Sequence, residues 1–529
     1  MRIHTLNPTT RAWLAALLLT GSGGLLQAQE VPRFPIVRFK VDGNTLLPQA
    51  DLAQAVQPFV GEKQDFGDVQ RAMEALEALY KAQGLTTVSV SLPEQVLDKG
   101  EVLLKVTEGR IKDIQISGQA HYDEDNIRAT LPTLQVGEPP RVNDVSANLR
   151  IANENPAKKI DLRLKPGATE EEVIADVVVT DERPWKVGLT LENTGNTQTG
   201  RNRLGVSLQH ANLWNRDHIL TAQYQTSPEK PDKVHVYSLS YRAPLYGLGD
   251  AVDFFVTKSN VNAGTIPAGP VTLAISGRGM TYGARYTLNL KRRGNYEQQL
   301  LFGFDYKAFE NDIGAGVVQL GNDITVRPLS LQYSGRWQAG NSEVSLFGTL
   351  ARNLPGGSKG GQADFDKARL GAPDDFSVVR YGITANHAYA NDWQVRLSGS
   401  GQWTRRPLIP GEQFGIGGAN GPRGFDEREI ADDKGYQASM EVYTPELCQN
   451  VGKDQRCRLL AFYDNGTVYR IDPLPGEKSR ENVASAGIGL RYAWGKSTAF
   501  QMDYGEVLQG GGARQRGDWR VHARLGVFF

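Results

Sequence analysis

The chain has 529 residues, and its 59 lysines and arginines balance 59 aspartates and glutamates. This length allows two or more domains, and the zero net charge gives no overall basic field for nucleic acid. Glycine is abundant, at 58 residues, and cysteine is scarce, at 2. No run after residue 28 approaches the roughly 18 apolar residues of a membrane helix, which excludes helical membrane spans.

The N terminus has the pattern of a secretory signal. Two arginines precede the apolar run 12–19, and the segment 26–28 ends in alanine, a small residue suited to signal peptidase. We predict that residues 1–28 are removed on export, the alternative being a short buried helix. Residues 29–35 then form a short N-terminal segment.

Two successive segments share one predicted order of elements, β-α-α-β-β. Residues 36–109 contain a strand at 36–41, helices at 49–59 and 69–83, and strands at 87–92 and 102–106. Residues 110–184 contain a strand at 111–116, helices at 123–131 and 143–153, and strands at 160–164 and 173–179. Period-two apolar patterns predict the strands, and apolar residues three or four apart predict the helices. The mature chain therefore starts with two small α/β modules.

In residues 185–529 the helical periodicity disappears, and apolar residues alternate with polar or small ones. Phe302 and Phe304, for example, alternate with Gly303 and Asp305. Lipid outside a membrane barrel and water inside it favour this alternation. With strands of ~10 residues, the segment accommodates about sixteen antiparallel strands. A soluble β-sandwich is the alternative.

The last strand favours the barrel. Leu525, Val527 and Phe529 lie on its apolar face, and the sequence ends there. A terminal amphipathic strand that ends in phenylalanine resembles the outer-membrane assembly signal of bacterial barrels, so we predict that these three residues form such a signal. A closed barrel leaves no unpaired edge, whereas an open edge in lipid would leave main-chain amides without partners. We therefore predict a membrane β-barrel of about sixteen antiparallel strands, preceded by the two α/β modules.

A glycine-rich hairpin at residues 414–425 carries a single arginine at its tip. Its glycines, including Gly417 and Gly418, allow turns that are closed to other residues. If the Arg423 guanidinium is buried it needs an acceptor. The alternative is a solvated arginine on a flexible surface loop.

The order of signal peptide, two POTRA-like modules, barrel and arginine hairpin resembles the TpsB branch of the Omp85 superfamily. These are the outer-membrane transporters of two-partner secretion, related to the hemolysin and filamentous-adhesin secretion proteins. The most specific match is Pro422, Arg423, Gly424 and Phe425, which fits the family's V-R-G-F/Y loop tip except that proline replaces valine. Proline removes a main-chain donor and fixes φ at this point.

The resemblance implies a position for the hairpin. In the family the sixth extracellular loop folds back into the lumen, and its arginine pairs with an acidic residue on the inner wall. Asp464 in the segment 462–466 matches that residue, and period-two counting puts Phe462 on the same face as Asp464. We therefore expect residues 414–434 to form a loop docked in the lumen.

The resemblance also implies a function without enzymatic activity, cofactor or metal. POTRA modules bind partly folded protein by adding its strand to an exposed sheet edge, although structural spacers are the alternative. We expect the first module to bind an unfolded exoprotein of the TpsA type in the periplasm. The candidate cargo-binding residues are Leu76, Leu79, Thr87, Val88, Ser89, Val90, Ser91 and Leu92.

Other partners follow from the implied location in the outer membrane of a Gram-negative bacterium. We expect outer-membrane lipid and lipopolysaccharide around the barrel, periplasmic chaperones and the barrel assembly machinery during biogenesis, and no nucleic acid. The alternative function is an outer-membrane protein assembly or insertion factor. A hydrolase is disfavoured, because the G-x-S-x-G pattern at residues 356–360 lies in a loop between strands instead of at a strand-to-helix elbow.

Two further expectations concern gating and the cysteines. Many relatives have a plug helix before the first module, but residues 29–35 would rise only ~10 Å as a helix, so we expect the docked loop to carry more of the gating. Export implies an oxidising compartment, in which Cys448 and Cys457 form a local disulfide or remain two buried thiols. If the loop 414–434, which carries Arg423 and is called the arginine loop below, is extracellular, both cysteines lie in a periplasmic turn.

Overall fold

The computed structural model describes residues 32–97, 99–268, 271–276, 278–310, 314–315, 318–319, 323–450, 452 and 454–529. The proposed signal peptide, residues 1–28, lies outside the described residues. The chain forms two compact units. One contains the described residues up to Gln83 together with Val88–Glu108, and the other contains Gly84–Thr87 and Gly109–Phe529.

The first unit is a small α/β module. Its elements are β1 (Phe34–Ile36), β2 (Arg38–Asp42), α1 (Gln49–Val56), β3 (Gly61–Gln64), α2 (Phe66–Ala82), β4 (Val88–Ser91) and β5 (Glu101–Glu108). Strand β5 lies between β2, which is parallel to it, and β4, which is antiparallel and occupies an edge. The pair formed by β1 and β3 is an addition to the predicted order.

The sequence determines where helix α2 begins. The Asp65 side chain accepts from the Asp68 N–H, and the Asp68 side chain accepts from the Asp65 N–H, which forms a capping box. Leu76 and Tyr80 on its apolar face are fully buried. This helix therefore forms the core of the module against the sheet.

The second module repeats the arrangement and belongs to the larger unit. Its elements are β6 (Arg110–Ser117), α3 (Glu124–Thr130), α4 (Val142–Ala152), β7 (Lys158–Pro166) and β8 (Glu172–Asp181). Strand β8 is central, parallel to β6 and antiparallel to β7. Ile127 and Val145 from the helices pack in one buried core with Ala175 and Val177 from β8.

The rest of the chain is a closed antiparallel barrel with its connecting loops. Its elements are β9 (Trp185–Glu192), β10 (Arg203–Leu213), β11 (His218–Thr226), β12 (Val236–Leu245), β13 (Asp250–Ser259), β14 (Asn262–Ala268), β15 (Val271–Ser276), β16 (Gly279–Asn289), β17 (Tyr296–Phe309), β18 (Gly314–Ala315), β19 (Val318–Gln319), β20 (Ile324–Val326), β21 (Pro328–Ala339), β22 (Ser342–Asn353), α5 (Gln362–Ala368), β23 (Ser377–Ala388), β24 (Gln394–Trp403), β25 (Phe414–Ile416), β26 (Ile430–Asp432), β27 (Lys434–Tyr443), β28 (Gln455–Tyr469), β29 (Arg480–Trp494), β30 (Thr498–Gln509) and β31 (Trp519–Phe528).

Sixteen strands close the barrel, because β20 and β21 both pair with β17 and form two parts of one strand. The pairs β14–β15, β18–β19 and β25–β26 are separate hairpins in the loops. The barrel closes where β31 pairs with β9, from Arg524 opposite Glu192 to Phe528 opposite Gly188. The predicted fold class is confirmed.

The predicted alternation explains which face of each strand meets lipid. Phe302 and Phe304 of β17 are exposed on the outside, whereas Asp305 is buried on the inside. No helix in the described part of the chain has the length and apolar character needed to span a membrane.

One prediction for this region is wrong. The sequence indicated no helix after residue 185, but α5 is a single helix inside the loop between β22 and β23. Phe365 of this helix is fully buried and packs with Phe376 and Leu408. Its seven residues are too few for a clear periodic pattern, and tertiary contacts stabilise such short helices.

Candidate functional site

The long loop between β24 and β27 folds into the barrel lumen. Strands β25 and β26 pair as a hairpin, from Phe414 opposite Asp432 to Ile416 opposite Ile430. In the segment that connects these two strands, Phe425 is buried in a cluster that includes Val468 and Val507 from the barrel wall. The loop thus packs against strands β28 to β30.

Two glycines let the tip touch the wall. Gly424 has a φ of +96°, which favours glycine, and a Cβ on it would lie 3.1 Å from the Gly505 oxygen. A Cβ on Gly505 would lie 2.9 Å from the Arg423 carbonyl carbon. A side chain at position 505 would therefore push the loop tip away from β30.

Arg423 is held mainly by Asp464, which the family resemblance indicated. Its Nε and Nη2 donate to the two Asp464 oxygens at 2.7 and 2.8 Å, and its main-chain N–H donates to the same carboxylate at 3.1 Å. The guanidinium carbon also lies 3.4 Å from the centre of the Phe462 ring. Both Asp464 and Arg423 are buried. Paired contacts of this kind fix orientation as well as charge.

Further wall residues complete the site. Nη1 of Arg423 donates to Glu441 at 2.8 Å, and Asp503 lies 3.6 Å from the same nitrogen. Arg491 pairs with Asp503 at 2.8 Å, so a second cation balances part of the excess negative charge. His522 accepts a hydrogen bond at Nε2 from the Gly424 N–H at 3.1 Å.

The charge of Arg423 is stabilised despite its burial. Burial alone would lower the pKa of the guanidinium, but the hydrogen bonds and charges of Asp464, Glu441 and Asp503 raise it instead. Removing one partner from a buried pair costs about 3–5 kcal/mol, because a charge is left without compensation. The docked loop therefore depends on Arg423 remaining paired.

Two more buried carboxylates hold the loop where it leaves the barrel wall and where it returns. Before the hairpin, Glu412 accepts from Lys307 and Arg380, each at 2.8 Å. After it, the Asp433 carboxylate forms a two-point pair with Arg369, one contact being 2.8 Å from Nη2. We call Glu412 and Asp433 the loop feet. Burial would raise the pKa of Glu412, but its two cations lower it.

Asp433 also accepts two main-chain hydrogen bonds, from Leu408 at 2.8 Å and from Ile471 at 2.7 Å. Its partner Arg369 lies in the loop that contains α5 and donates to the Ile471 oxygen at 2.8 Å. Three outer loops therefore meet at one buried carboxylate.

The sequence did not indicate these additional residues. Glu441 and Asp503 alternate with apolar neighbours, as inward-facing residues must, but so do many others in the barrel. Only the strand register places Ser439 opposite Asp464 and Asp503 opposite His522. Glu412 and Asp433 lie in a loop without any periodicity.

Cys448 and Cys457 are joined by a disulfide, with 5.3 Å between their Cα atoms. The bond closes the turn between β27, which carries Glu441, and β28, which carries Asp464. The main-chain N–H groups of both cysteines donate to the Glu446 carboxylate.

In the first module, the candidate cargo-binding residues are centred on edge strand β4. Val88 and Val90 are buried, Ser89 and Ser91 are exposed, and Leu76 is buried beneath them. The Val90 N–H donates to the Glu77 side chain at 3.4 Å. Thr87, Leu92 and Leu79 are partly buried.

The predicted assembly residues lie at the seam of the barrel. Leu525 and Phe529 are exposed, and Val527 is partly buried. Phe529 exchanges two main-chain hydrogen bonds with Val187 of β9, at 2.9 and 3.1 Å. The end of the chain thus extends the closing strand pair.

Two family models match the chain. One, described as haemolysin secretion/activation protein ShlB/FhaC/HecB, matches residues 172–492, and the other, described as POTRA domain, ShlB-type, matches residues 34–109.

Individual relatives agree with these models. The outer membrane transporter CdiB of Dickeya dadantii is 22% identical over 77% of this chain and 72% of its own length. The heme/hemopexin transporter protein HuxB of Haemophilus influenzae is 19% identical over 91% of this chain and 85% of its own length. The solved structure of CdiB from Escherichia coli covers 96% of this chain and 93% of its own, with a TM-score of 0.77 at 19% identity.

The barrel, the two modules and the family models lead to the same assignment. The haemolysin model spans more than half of the chain, and the predicted resemblance is confirmed. This protein therefore belongs to the haemolysin secretion/activation family ShlB/FhaC/HecB, whose members transport proteins across the outer membrane and carry POTRA modules in the periplasm.

Proposed function

We propose that this protein captures one large, unfolded exoprotein in the periplasm and conducts it through the barrel lumen to the cell surface. The observation that carries the proposal is the loop inside the lumen, with its arginine buried against Asp464 and both feet tied to charged partners. A loop held in this way obstructs the pore at rest, and its release opens a path for the chain in transit.

The first module supplies the capture site in this proposal. Among the described strands, β4 pairs only with β5, so an extended segment can add to its other edge. The Glu77 carboxylate meets the Val90 N–H at this edge and would be displaced by an incoming strand. Such main-chain pairing requires little sequence identity in the cargo.

Site-specific photocrosslinking tests the capture site. A photoreactive residue in place of Ser89, which is exposed on β4, should crosslink to an exoprotein stalled in transit. The same residue in place of Gln70, exposed on α2, is the matched control. Equal crosslinking at the two positions, or none at Ser89, would refute capture by this edge.

The competing function, assembly of other outer-membrane proteins, makes a different prediction. Depletion of an assembly factor would lower the levels of many porins, whereas depletion of a secretion pore would leave one exoprotein in the periplasm. We expect the second result, with porin levels unchanged. Lipopolysaccharide, periplasmic chaperones and the barrel assembly machinery remain predicted partners.

A further inference from the structure

A cavity of about 500 Å³ lies in the lumen between the arginine loop and the part of the wall that runs from β13 to β27. It is separate from the Arg423 site, which faces β27 to β31. Five basic side chains and two carboxylates line it. These charged residues are Arg278, Arg285, Asp305, Lys307, Arg380, Glu412 and Arg428.

The two carboxylates are already engaged. Arg285 holds Asp305 through two contacts, at 2.7 and 3.1 Å. Glu412, one of the loop feet, forms ion pairs with both Lys307 and Arg380. Even without Arg278, the lining has four cations against these two carboxylates, so the cavity contains more positive than negative charge.

Arg428 carries part of the excess. Its Nη2 donates to the main-chain oxygen of Gln413 at 2.9 Å. Among the described residues, no carboxylate forms an ion pair with it. Burial lowers the pKa of this guanidinium, the neighbouring charge of Arg380 lowers it further, and the charge of Glu412 opposes both. Arg428 is partly buried, and a cation that is withdrawn from water without an ion-pair partner is costly.

The backbone of the loop determines where the Arg428 side chain lies. Arg428 has a φ of +52°, a conformation that non-glycine residues rarely adopt and that concentrates at ligand-binding positions. Across the hairpin, a Cβ on Gly415 would lie 2.8 Å from the Arg428 guanidinium carbon. Only glycine at position 415 leaves room for the guanidinium where it lies.

We propose that this cavity is an oxyanion-binding site in which Arg428 is the principal ligand and Lys307 and Arg380 add positive charge. A guanidinium presents two parallel N–H donors that match a carboxylate, sulfate or phosphate group. The bound group is either a free oxyanion or a carboxylate side chain of the polypeptide in transit, and these two sources share one chemistry.

Sulfate is the probe for the site. The full-length protein in detergent should show a saturable rise in Tm with low-millimolar sulfate, relative to chloride at equal ionic strength, because binding to the folded state stabilises it. Arg428→Gln should abolish the rise. Arg352→Gln removes the same charge from an exposed pair with Asp375 and should retain it.

A second variant guards against a general effect of Arg428 on folding. Gly415→Ala fills the space beside the guanidinium, and it should also abolish the sulfate response while the barrel still migrates as a folded, heat-modifiable species. If the wild-type protein shows no saturable response, or if Arg428→Gln retains it, the proposal is overturned.

A secretion measurement then identifies the source of the oxyanion. This part of the experiment alone rests on the proposed function. A sulfate response combined with reduced exoprotein secretion by Arg428→Gln assigns the site to carboxylates of the moving chain. The same response with unchanged secretion assigns it to a free oxyanion. Because sulfate binding is measured on the purified protein, it is unaffected if the transport proposal fails.

Discussion

At the residue scale, Arg423 is a single cation that satisfies several buried wall groups at once. Its donors reach Asp464, Glu441 and Ser439, so its removal leaves more than one group without a partner. We therefore expect the docked position of the whole loop to depend on this one side chain. Breaking a buried ion pair from one side is costly even where the intact pair adds little net stability.

Arg423→Ala should destabilise the docked loop by about 3–5 kcal/mol and reduce secretion more than it reduces barrel abundance. The measurement compares exoprotein in the medium with folded barrel in the outer membrane. Arg352→Ala, at an exposed arginine, serves as the control. Wild-type secretion from Arg423→Ala would contradict the role proposed for the docked loop.

The raised pKa of Glu427 predicts that the stability of the protein depends on pH. Burial raises the pKa of this loop carboxyl to about 7, although the Ala419 N–H opposes the shift, and the charge of Glu192 adds to it. The folded state therefore binds the proton more tightly than the unfolded state, whose value is 4.5. The stability that Glu427 contributes is greatest below that value and is lost as the pH rises towards about 7.

Thermal unfolding between pH 4.5 and pH 8 tests this dependence. Glu427→Gln should flatten the decline in Tm across the window, whereas Glu62→Gln, at an exposed position, should leave it unchanged. The same slope in Glu427→Gln as in the wild type would show that another group is responsible.

At the element scale, the loop is fixed at three points and not only at its tip. The feet tie it to β17 and β23 through Glu412, and to the loop containing α5 through Asp433. The hairpin between the feet can leave the wall only if the tip pairs break. We therefore expect the feet to act as hinges if the hairpin moves.

Asp433→Asn should weaken this hinge by about 3–5 kcal/mol, because Arg369 would be left buried without a counter-charge. Asp375→Asn disrupts an exposed pair with Arg352 and should cost about 0–1 kcal/mol. Single-channel recordings in planar bilayers would detect the difference as more frequent opening of Asp433→Asn. Identical gating in the two variants would exclude a hinge at Asp433.

At the scale of the whole molecule, the second module is fixed to the barrel by a buried polar cluster. Lys158 of β7 pairs with Asp217, in the turn between β10 and β11, at 2.6 Å and donates to Asn126 at 2.7 Å. Tyr246 donates to the same Asp217 carboxylate at 2.5 Å. Burial lowers the pKa of Lys158, and the charge of Asp217 opposes this. These contacts set the module at the lumen opening.

Lys158→Met should leave Asp217 buried without its cation and cost about 3–5 kcal/mol. We expect the second module to become sensitive to protease while the barrel stays folded. Lys159→Met, at the exposed neighbouring residue, should remain as resistant as the wild type. Equal resistance of both variants would show that Lys158 does not hold the module.

How far the sequence predicts this molecule depends on the range of the interaction. Local periodicity is sufficient for both modules and for the barrel strands, because lipid and water impose a period-two pattern on each strand separately. The pairing of Arg423 with Asp464 was indicated only by the family motif. The contacts of Glu412, Asp433 and Arg428 depend on loop conformation, for which the sequence has no periodic signal.

Locking the loop against the wall tests the central claim most directly. A Cβ on Gly466 of β28 would lie 3.2 Å from the Pro422 Cγ, so a cysteine sulfur at 422 would be within disulfide reach. With Pro422→Cys and Gly466→Cys combined, secretion of the exoprotein should stop under oxidising conditions and recover on reduction. Each single variant controls for the reductant itself. Undiminished secretion by the oxidised, crosslinked protein would contradict the account, because the polypeptide would then cross the membrane without displacing the loop.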